Sequence, residues 1–301
     1  MKILIVGMGV QGKKRKKSIE KDFRYSVDKY KYSDFKSIYE VPLQEYDTVF
    51  VCLPDKEKLA VVKYCIDNKK HVLIEKPFIL RDAKSFLNLQ KIARKNGVVC
   101  YTAYNHRFEP HIIRMKKMIK SKKLGKLYCC RIFYGNGTAK LVKDNWRDKG
   151  NGIVTDLAPH LIDTCLFWFG KNLKNFKIMS QRRFENKSPD HALLNSEKST
   201  PKIHLEMSYH MYRNDFVCDL LASKGSAHIN RLCKWGTSVF TYRERKFPSG
   251  KPTQIKKSLL MSDPTWLLEY KYFKKLILNN KKTDLKKDAM LFKILNSFKK
   301  K

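Results

Sequence analysis

The sequence predicts an α/β Rossmann-type N-terminal domain followed by an α+β C-terminal domain with a mostly antiparallel, open sheet. In the first half, short apolar strands alternate with helices, a pattern typical of right-handed βαβ units and a parallel sheet. In the second half, several strand-like segments follow one another without a helix between each pair. We expect the two domains to comprise residues 1–121 and 122–301.

The composition is that of a folded globular protein with a strong positive charge. Of 301 residues, 43% are apolar and 12% aromatic, so both domains can build cores. Lys+Arg 64 against Asp+Glu 28 gives a formal charge of +36, which attracts anionic ligands, membranes or nucleic acid. The basic residues are scattered and lack a zinc-finger or aromatic–basic RNA signature. We therefore expect no specific nucleic-acid partner.

The cysteines and the apolar segments bear on location. Eight cysteines occur without a C-x-x-C pair, which predicts reduced thiols, no metal site and a cytoplasmic protein. The run Met1 to Gly7 is too short for a signal peptide and ends in a glycine turn. No stretch approaches the roughly 18 apolar residues that a membrane-spanning helix needs.

The first strand, Ile3 to Val6, runs into Gly7-Met8-Gly9-Val10-Gln11-Gly12. This G-x-G-x-x-G spacing between a strand and a helix is typical of dinucleotide binding. The first glycine permits a tight turn, the second admits a pyrophosphate, and the third lets helix and strand pack closely. The alternative is a glycine turn without a ligand. The predicted cofactor contacts are Gly7, Gly9, Val10, Gln11 and Gly12.

The second strand, Arg24 to Val27, ends at Asp28. A carboxylate there can accept hydrogen bonds from both ribose hydroxyls of NAD. Lys29 and Lys31 follow, and a cation near that spot could instead accommodate the 2′-phosphate of NADP. Asp28 could also be only a turn residue. The predicted cofactor is NAD or NADP, with NAD favoured.

The third strand, Asp47 to Leu53, is predicted to be the central strand of the sheet, and the run that ends at Glu75-Lys76-Pro77 is predicted to be a buried strand. Pro77 has no N–H and ends the strand ladder. Lys76 can then point into the crevice outside the carboxyl ends of the strands, where ligands bind in open parallel sheets. The alternative is an ordinary solvated lysine. Further predicted cofactor contacts are Leu53, Pro54, Glu75 and Lys76. The remaining elements of this half are helices Glu57 to Asn68 and Arg81 to Asn96 and strand Val98 to Tyr104.

The second half is predicted to contain a largely antiparallel or mixed sheet covered by helices on one face. The predicted strands are Leu127 to Tyr134, Ile203 to Tyr212, Phe216 to Ala222, Ala227 to Leu232 and Ser238 to Tyr242. From Trp266 to Lys301 the sequence predicts two basic helices with apolar stripes, which we expect to pack on their own domains. A basic amphipathic helix lying on anionic lipid is the alternative.

A candidate catalytic helix lies early in this half. Asp156, His160 and Asp163 fall at i, i+4 and i+7, so a helix places all three on one face. Pro159 limits regular helix upstream of it but is tolerated in a first turn. The alternative is that Asp156 is an N-cap and His160 a solvated side chain.

Several segments resemble the Gfo/Idh/MocA family of NAD(P)-dependent oxidoreductases, and the resemblance covers nearly the whole chain. Lys69 to Pro77 resembles the family's Glu-Lys-Pro signature, and Asn96-Gly97-Val98, Tyr104 to Pro110 and Gly125-Lys126-Leu127 resemble the segments that follow. Gly150 to Asp163 resembles its catalytic helix, with Asn151 in place of the middle glycine. The sequence departs from the family at Lys58, where a histidine is frequent.

The resemblance implies hydride transfer between nicotinamide and a secondary alcohol or ketone of a sugar, cyclitol or nucleotide sugar. It implies that His160 is the general acid–base, that Lys76 binds the reacting oxygen and that Asp156 holds substrate or orients His160. The implied substrate-binding residues are Asn105, Arg107, Trp146 and Asp163, and residues 122–301 are implied to serve substrate binding and oligomerisation. The positive charge favours an anionic substrate, and a homo-oligomer is compatible with the sequence. Alternatives are a non-catalytic nicotinamide-binding relative acting as a sensor or subunit, and a basic nucleic-acid-binding protein.

Overall fold

A computed structural model describes residues 1–19, 21–29 and 33–298. Lys31, considered above as a contact of the NADP 2′-phosphate, lies outside the described residues. The chain divides into two compact units. Of the described residues, the first unit comprises Met1–Asn105 with Thr265–Lys293, and the second comprises His106–Pro264 with residues 294–298.

The first unit contains a five-stranded parallel sheet with the order β2-β1-β3-β4-β5. Its strands are β1 (Ile3–Val6), β2 (Phe23–Val27), β3 (Thr48–Val51), β4 (His71–Glu75) and β5 (Cys100–Ala103). Its first helices are α1 (Val10–Ser18), α2 (Asp55–Asp67) and α3 (Ala83–Lys95). Strands β1, β3 and β5 are buried along their whole length, as expected for parallel strands covered on both faces. The predicted Rossmann-type fold is confirmed.

Local sequence explains where these helices start and stop, as α3 illustrates. The Asp82 carboxylate accepts a hydrogen bond of 2.8 Å from the Ser85 N–H and so caps the first turn. Phe86 and Leu89 lie one turn apart on the buried face. Gly97 follows the helix with a φ of +70°, a conformation that ends helices and favours glycine.

The second unit contains an eight-stranded sheet with the order β13-β12-β11-β10-β6-β9-β8-β7. All neighbours are antiparallel except β6 and β9, which are parallel. Its strands are β6 (Leu127–Gly135), β7 (Lys177–Arg182), β8 (His191–Ser196), β9 (Lys202–Ser208), β10 (Asp215–Ala222), β11 (Gly225–Asn230), β12 (Ser238–Glu244) and β13 (Thr253–Leu259). Its helices are α4 (Pro110–Lys120), α5 (Ala139–Val142) and α6 (Ile153–Phe169). The predicted α+β fold is confirmed.

Strands β7, β8 and β13 were not predicted from the sequence. β7 and β13 lie at the two edges of the sheet, and β13 is exposed along most of its length. Polar side chains and lysines are typical of edge strands, because they discourage pairing with other chains. The edge strands β7 and β13 lack the alternation of apolar and polar residues from which strands are predicted.

The two units differ from the single boundary predicted after residue 121. Helix α4 belongs to the second unit, whereas α7 (Thr265–Leu278) and most of α8 (Lys286–Asn296) belong to the first. Phe273 of α7 packs on Phe50 of β3, with ring centroids 5.9 Å apart. An apolar stripe predicts that a helix packs, but it does not identify the core. Among the helices of the described residues, none has the length and apolar content needed to cross a membrane.

Candidate active site

The glycine turn after β1 has the geometry that the sequence predicts. Gly7 has a φ of +95°, and a Cβ there would lie 2.7 Å from the Cys52 carbonyl oxygen. A Cβ on Gly12 would lie 2.0 Å from the Gly7 carbonyl oxygen. Among the residues that the structure describes, no atom lies within 4 Å of a Cβ built on Gly9. Positions 7 and 12 therefore require glycine for the fold, while Gly9 leaves open space at the start of α1.

A cavity of about 900 Å³ opens at the carboxyl ends of β1, β2 and β3. Of the predicted cofactor contacts it is lined by Gly7, Gly9, Asp28, Leu53 and Pro54. Lys13, Lys29 and Lys36 also line it and bring positive charge. A helix N-terminus with open space at Gly9 suits a phosphate, and the carboxylate suits ribose hydroxyls. The residues present therefore fit a nicotinamide dinucleotide.

Asp28 also has a structural partner. Its Oδ2 accepts a hydrogen bond of 2.6 Å from the Met8 N–H, which ties the end of β2 to the glycine turn. The neighbouring Lys29 Nζ pairs with Glu57 Oε2 at 3.0 Å, and both residues line the cavity. A carboxylate can accept several hydrogen bonds, so the turn role and the ribose role are compatible.

The other predicted cofactor contacts of this unit lie on α1 and around the end of β4. Val10 and Gln11 are exposed on α1, whereas Glu75 is buried and accepts a hydrogen bond of 2.6 Å from Arg15 Nε. Lys76 is half-buried directly after β4. Lys58, the residue that departs from the family pattern, donates a hydrogen bond of 2.5 Å from Nζ to the Pro77 carbonyl oxygen.

In the second unit, Asp156, His160 and Asp163 all lie on α6, as predicted. The helix follows Gly152, whose φ is +47°. A Cβ on Gly152 would lie 2.2 Å from the Pro189 carbonyl oxygen, so glycine is needed where α6 begins. Each of the three side chains meets a different partner.

Asp156 lies between two donors. The Tyr209 hydroxyl donates a hydrogen bond of 3.1 Å to its Oδ2, and Arg147 Nη1 lies 3.6 Å from the same oxygen. Burial and the Asp156 charge raise the pKa of Tyr209, so the phenol remains a donor at neutral pH. Arg147 follows Trp146, a predicted substrate-binding residue whose side chain is 63% exposed.

His160 is 9% exposed and forms part of a cluster of four rings. Its imidazole stacks on that of His106, with centroids 4.4 Å apart and planes inclined by 23°. Tyr134 stacks on Trp235 at 5.5 Å, and the His106 and Tyr134 centroids lie 5.7 Å apart. Burial, and then the Asp156 charge, raise the pKa of Tyr134. His160 is thus held by packed rings, which fixes the direction of its imidazole.

Two predicted substrate-binding residues bind each other. Arg107 engages Asp163 with both ends of its guanidinium, and the Nε to Oδ2 distance is 2.8 Å. Asp163 is buried, so this pair ties the segment carrying His106 to α6. Asn105, in the first unit, donates from Nδ2 to Thr265 Oγ1 at 3.0 Å.

Sequence reasoning missed His106, Tyr134, Tyr209 and Trp235. For His106 there was a signal, because it lies between Asn105 and Arg107 in a segment already selected. Nothing in the sequence around Tyr134, Tyr209 or Trp235 connects them to α6. These three residues lie 26 to 75 positions from His160 in the sequence. Strand pairing and loop geometry bring them to α6 and to the ring cluster beside it.

The sequence matches two parts of one protein family. Residues 1–104 match the family described as "Oxidoreductase family, NAD-binding Rossmann fold", and residues 112–228 match the "GFO/IDH/MocA C-terminal domain". Together the two matches cover most of the chain.

A curated relative that is named as a dehydrogenase also matches part of the chain. The scyllo-inositol 2-dehydrogenase (NADP(+)) IolW of Bacillus subtilis is 30% identical over 122 residues, which are 39% of this chain and 34% of the relative. The chain spans less than half the length of the curated relatives it matches.

Two solved structures share the fold. Levoglucosan dehydrogenase in complex with NADH superposes with a TM-score of 0.81 and 14% identity, covering 99% of this chain and 96% of that one. UDP-N-acetylglucosamine 3-dehydrogenase GnnA from Acidithiobacillus ferrooxidans gives 0.79 and 15% identity, covering 99% and 96%. These identities show a common fold. From the two family matches, this chain belongs to the Gfo/Idh/MocA family of oxidoreductases, with an NAD-binding Rossmann domain and the family's C-terminal domain.

Proposed function

We propose that the protein transfers a hydride between NAD(H) or NADP(H) and a secondary alcohol or ketone of a sugar, cyclitol or nucleotide sugar. The observation that carries the proposal is the cavity of about 900 Å³ lined by Gly7, Gly9 and Asp28 in a family described as NAD-binding. The names of the relatives, an inositol dehydrogenase and dehydrogenases of levoglucosan and a nucleotide sugar, support the substrate class.

The proposed chemistry divides between two side chains and the cofactor. When bound, the nicotinamide supplies the acceptor or donor of the hydride. His160 takes the hydroxyl proton as the carbinol C–H bond breaks and the carbonyl forms, and it returns that proton in the reverse direction. Lys76 donates a hydrogen bond to the same oxygen and stabilises the negative charge that develops on it.

Asp156 has a supporting part in this proposal. Tyr209 and Arg147 hold its carboxylate in one orientation, from which it can bind a substrate hydroxyl or orient His160. The formal charge of +36 favours a substrate carrying phosphate or carboxylate, as a nucleotide sugar does.

A two-stage assay tests the proposal. Calorimetric titration with NADH and NADPH comes first, and we expect a dissociation constant in the micromolar range or below for at least one of them. A panel of inositols, levoglucosan and UDP-N-acetylglucosamine is then screened with both oxidised cofactors by the absorbance of the reduced nicotinamide. Absence of binding by both cofactors would reject the enzyme hypothesis and the nicotinamide-binding sensor or subunit alike, and would leave the nucleic-acid-binding protein.

Replacing Asp28 tests cofactor choice. We expect Asp28→Ala to weaken NADH about tenfold and NADPH less, because the ribose hydroxyls of NADH lose an acceptor with a charge. Asp28→Asn is the matched control, since its amide oxygen can still accept from the Met8 N–H. Calorimetry measures the affinities of both variants for NADH and for NADPH. An equal loss of NADH and NADPH in Asp28→Ala would assign Asp28 to the turn alone.

A further inference from the structure

Two buried cations reach the residues on either side of Lys76. We call residues 75–77 the Lys76 turn. Arg15 of α1 bonds the Glu75 side chain, and Lys58 of α2 bonds the Pro77 carbonyl oxygen. The turn that presents Lys76 is therefore held before and after the lysine by helices from two places in the first unit.

Lys58 is placed where a lysine is seldom found. The residue is 2% exposed, and Nζ donates to Asp55 Oδ1 at 2.7 Å and to the Pro77 oxygen at 2.5 Å. An ammonium group is costly to bury unless it is paired and hydrogen-bonded. The pair with Asp55 offsets that cost, and the second bond directs the charge onto the backbone of the Lys76 turn.

Arg15 is 1% exposed in the middle of a basic run. Its Nε donates to Glu75, and its Nη2 donates to Glu269 Oε2 at 2.7 Å. The guanidinium lies over the Trp266 ring, 4.5 Å from the centroid. Arg15 thus bridges two buried carboxylates, one of which belongs to the Lys76 turn.

Cys52 is one of the residues that line the cofactor cavity. Burial raises the pKa of the Cys52 thiol; the Glu75 charge raises it further, and the charges of Arg15 and Lys58 oppose the rise. The pKa of this thiol therefore depends on both cations and on the Glu75 carboxylate that Arg15 binds.

We propose that Lys58 and Arg15 are positioning residues for Lys76, and this inference rests on the proposed function. A lysine has a flexible four-carbon stem, so the placement of its amine depends on the backbone from which it extends. Catalytic groups need placement within about 0.5 Å, and an error of about 1 Å can reduce turnover about a hundredfold. Two charge-assisted bonds to the flanking residues fix that backbone without contacting the substrate.

Lys58→Met is the test variant, and Lys63→Met is its matched control on the exposed face of α2. Hydrogen exchange of peptides covering residues 71–80 is the first measurement, because it needs no substrate. We expect faster exchange in Lys58→Met and no change in Lys63→Met. We also expect kcat to fall at least about tenfold while the NADH dissociation constant stays within about threefold. Lys58→Gln, which keeps a donor for the Pro77 oxygen, should recover part of kcat.

A double-mutant cycle separates positioning from general destabilisation. In a Lys76→Ala background, Lys58→Met should reduce kcat no further, because the group that it positions is gone. Unchanged exchange in residues 71–80, or the same loss of kcat in both backgrounds, would overturn the inference. If wild-type protein binds no nicotinamide and oxidises no alcohol, the proposed function fails, and the exchange result still decides whether Lys58 holds the Lys76 turn.

Discussion

His160→Ala should lose most of the turnover and keep its affinity for NADH. Proton transfer by a positioned side chain contributes about a hundredfold to ten-thousandfold to the rate, and the packed rings around His160 provide that positioning. The imidazole belongs to the second unit, whereas the glycine-lined cavity lies in the first, so we expect NADH affinity to be unchanged. Because the positioned proton transfer is lost, steady-state kinetics should show a fall in kcat of at least about a hundredfold.

The control is His204→Ala, which removes an exposed histidine of β9 and should leave both kcat and NADH affinity unchanged. Calorimetry with NADH checks that each variant retains the cofactor site. A fully active His160→Ala enzyme would remove this residue from the mechanism. A parallel loss of NADH affinity would assign it to folding or cofactor binding instead.

Arg15→Met should destabilise the protein by about 3–5 kcal/mol, because it leaves two carboxylates buried without their cation. Burial raises the pKa of Glu269, and Arg15 opposes that rise, so removal of the guanidinium favours the neutral acid. Chemical denaturation measures the free energy of unfolding. Lys17→Met, on the exposed side of α1, is the matched control and should change it by no more than about 0.5 kcal/mol.

A second substitution makes the cause of this loss visible. Adding Glu269→Gln to Arg15→Met removes one of the two uncompensated charges and should restore part of the stability. A loss below about 1 kcal/mol in Arg15→Met would show that the guanidinium does not hold these carboxylates in solution. The result bears on the Lys76 turn, since Glu75 is one of the two.

The glycine turn and α6 could be predicted from the sequence because local rules determine them. Gly7 and Gly12 must be glycine for steric reasons, and the spacing of Asp156, His160 and Asp163 is that of a helix face. The role of Arg15 could not be predicted. It is one of five consecutive basic residues, and only its position one turn after Gly12, facing the sheet, separates it from its neighbours.

Long-range partners account for what the sequence left open. Tyr209 directly follows β9 and its hydroxyl bonds Asp156 of α6, whereas Trp235 stacks on Tyr134 of β6, whose ring lies near His160. Helix α7 carries Glu269 and Phe273 into the first unit, although its sequence adjoins the second. Periodicity identifies the buried face of a helix, but not the core against which that face packs.

Deuterium transfer tests hydride chemistry most directly. An alcohol found in the screen, deuterated at its carbinol carbon, is incubated with the protein and the oxidised nicotinamide, and the products are analysed by mass spectrometry. We expect one deuterium in the reduced nicotinamide for each ketone formed, and none when the protein is omitted. Ketone formation with an unlabelled nicotinamide would contradict a direct transfer between the alcohol carbon and the cofactor.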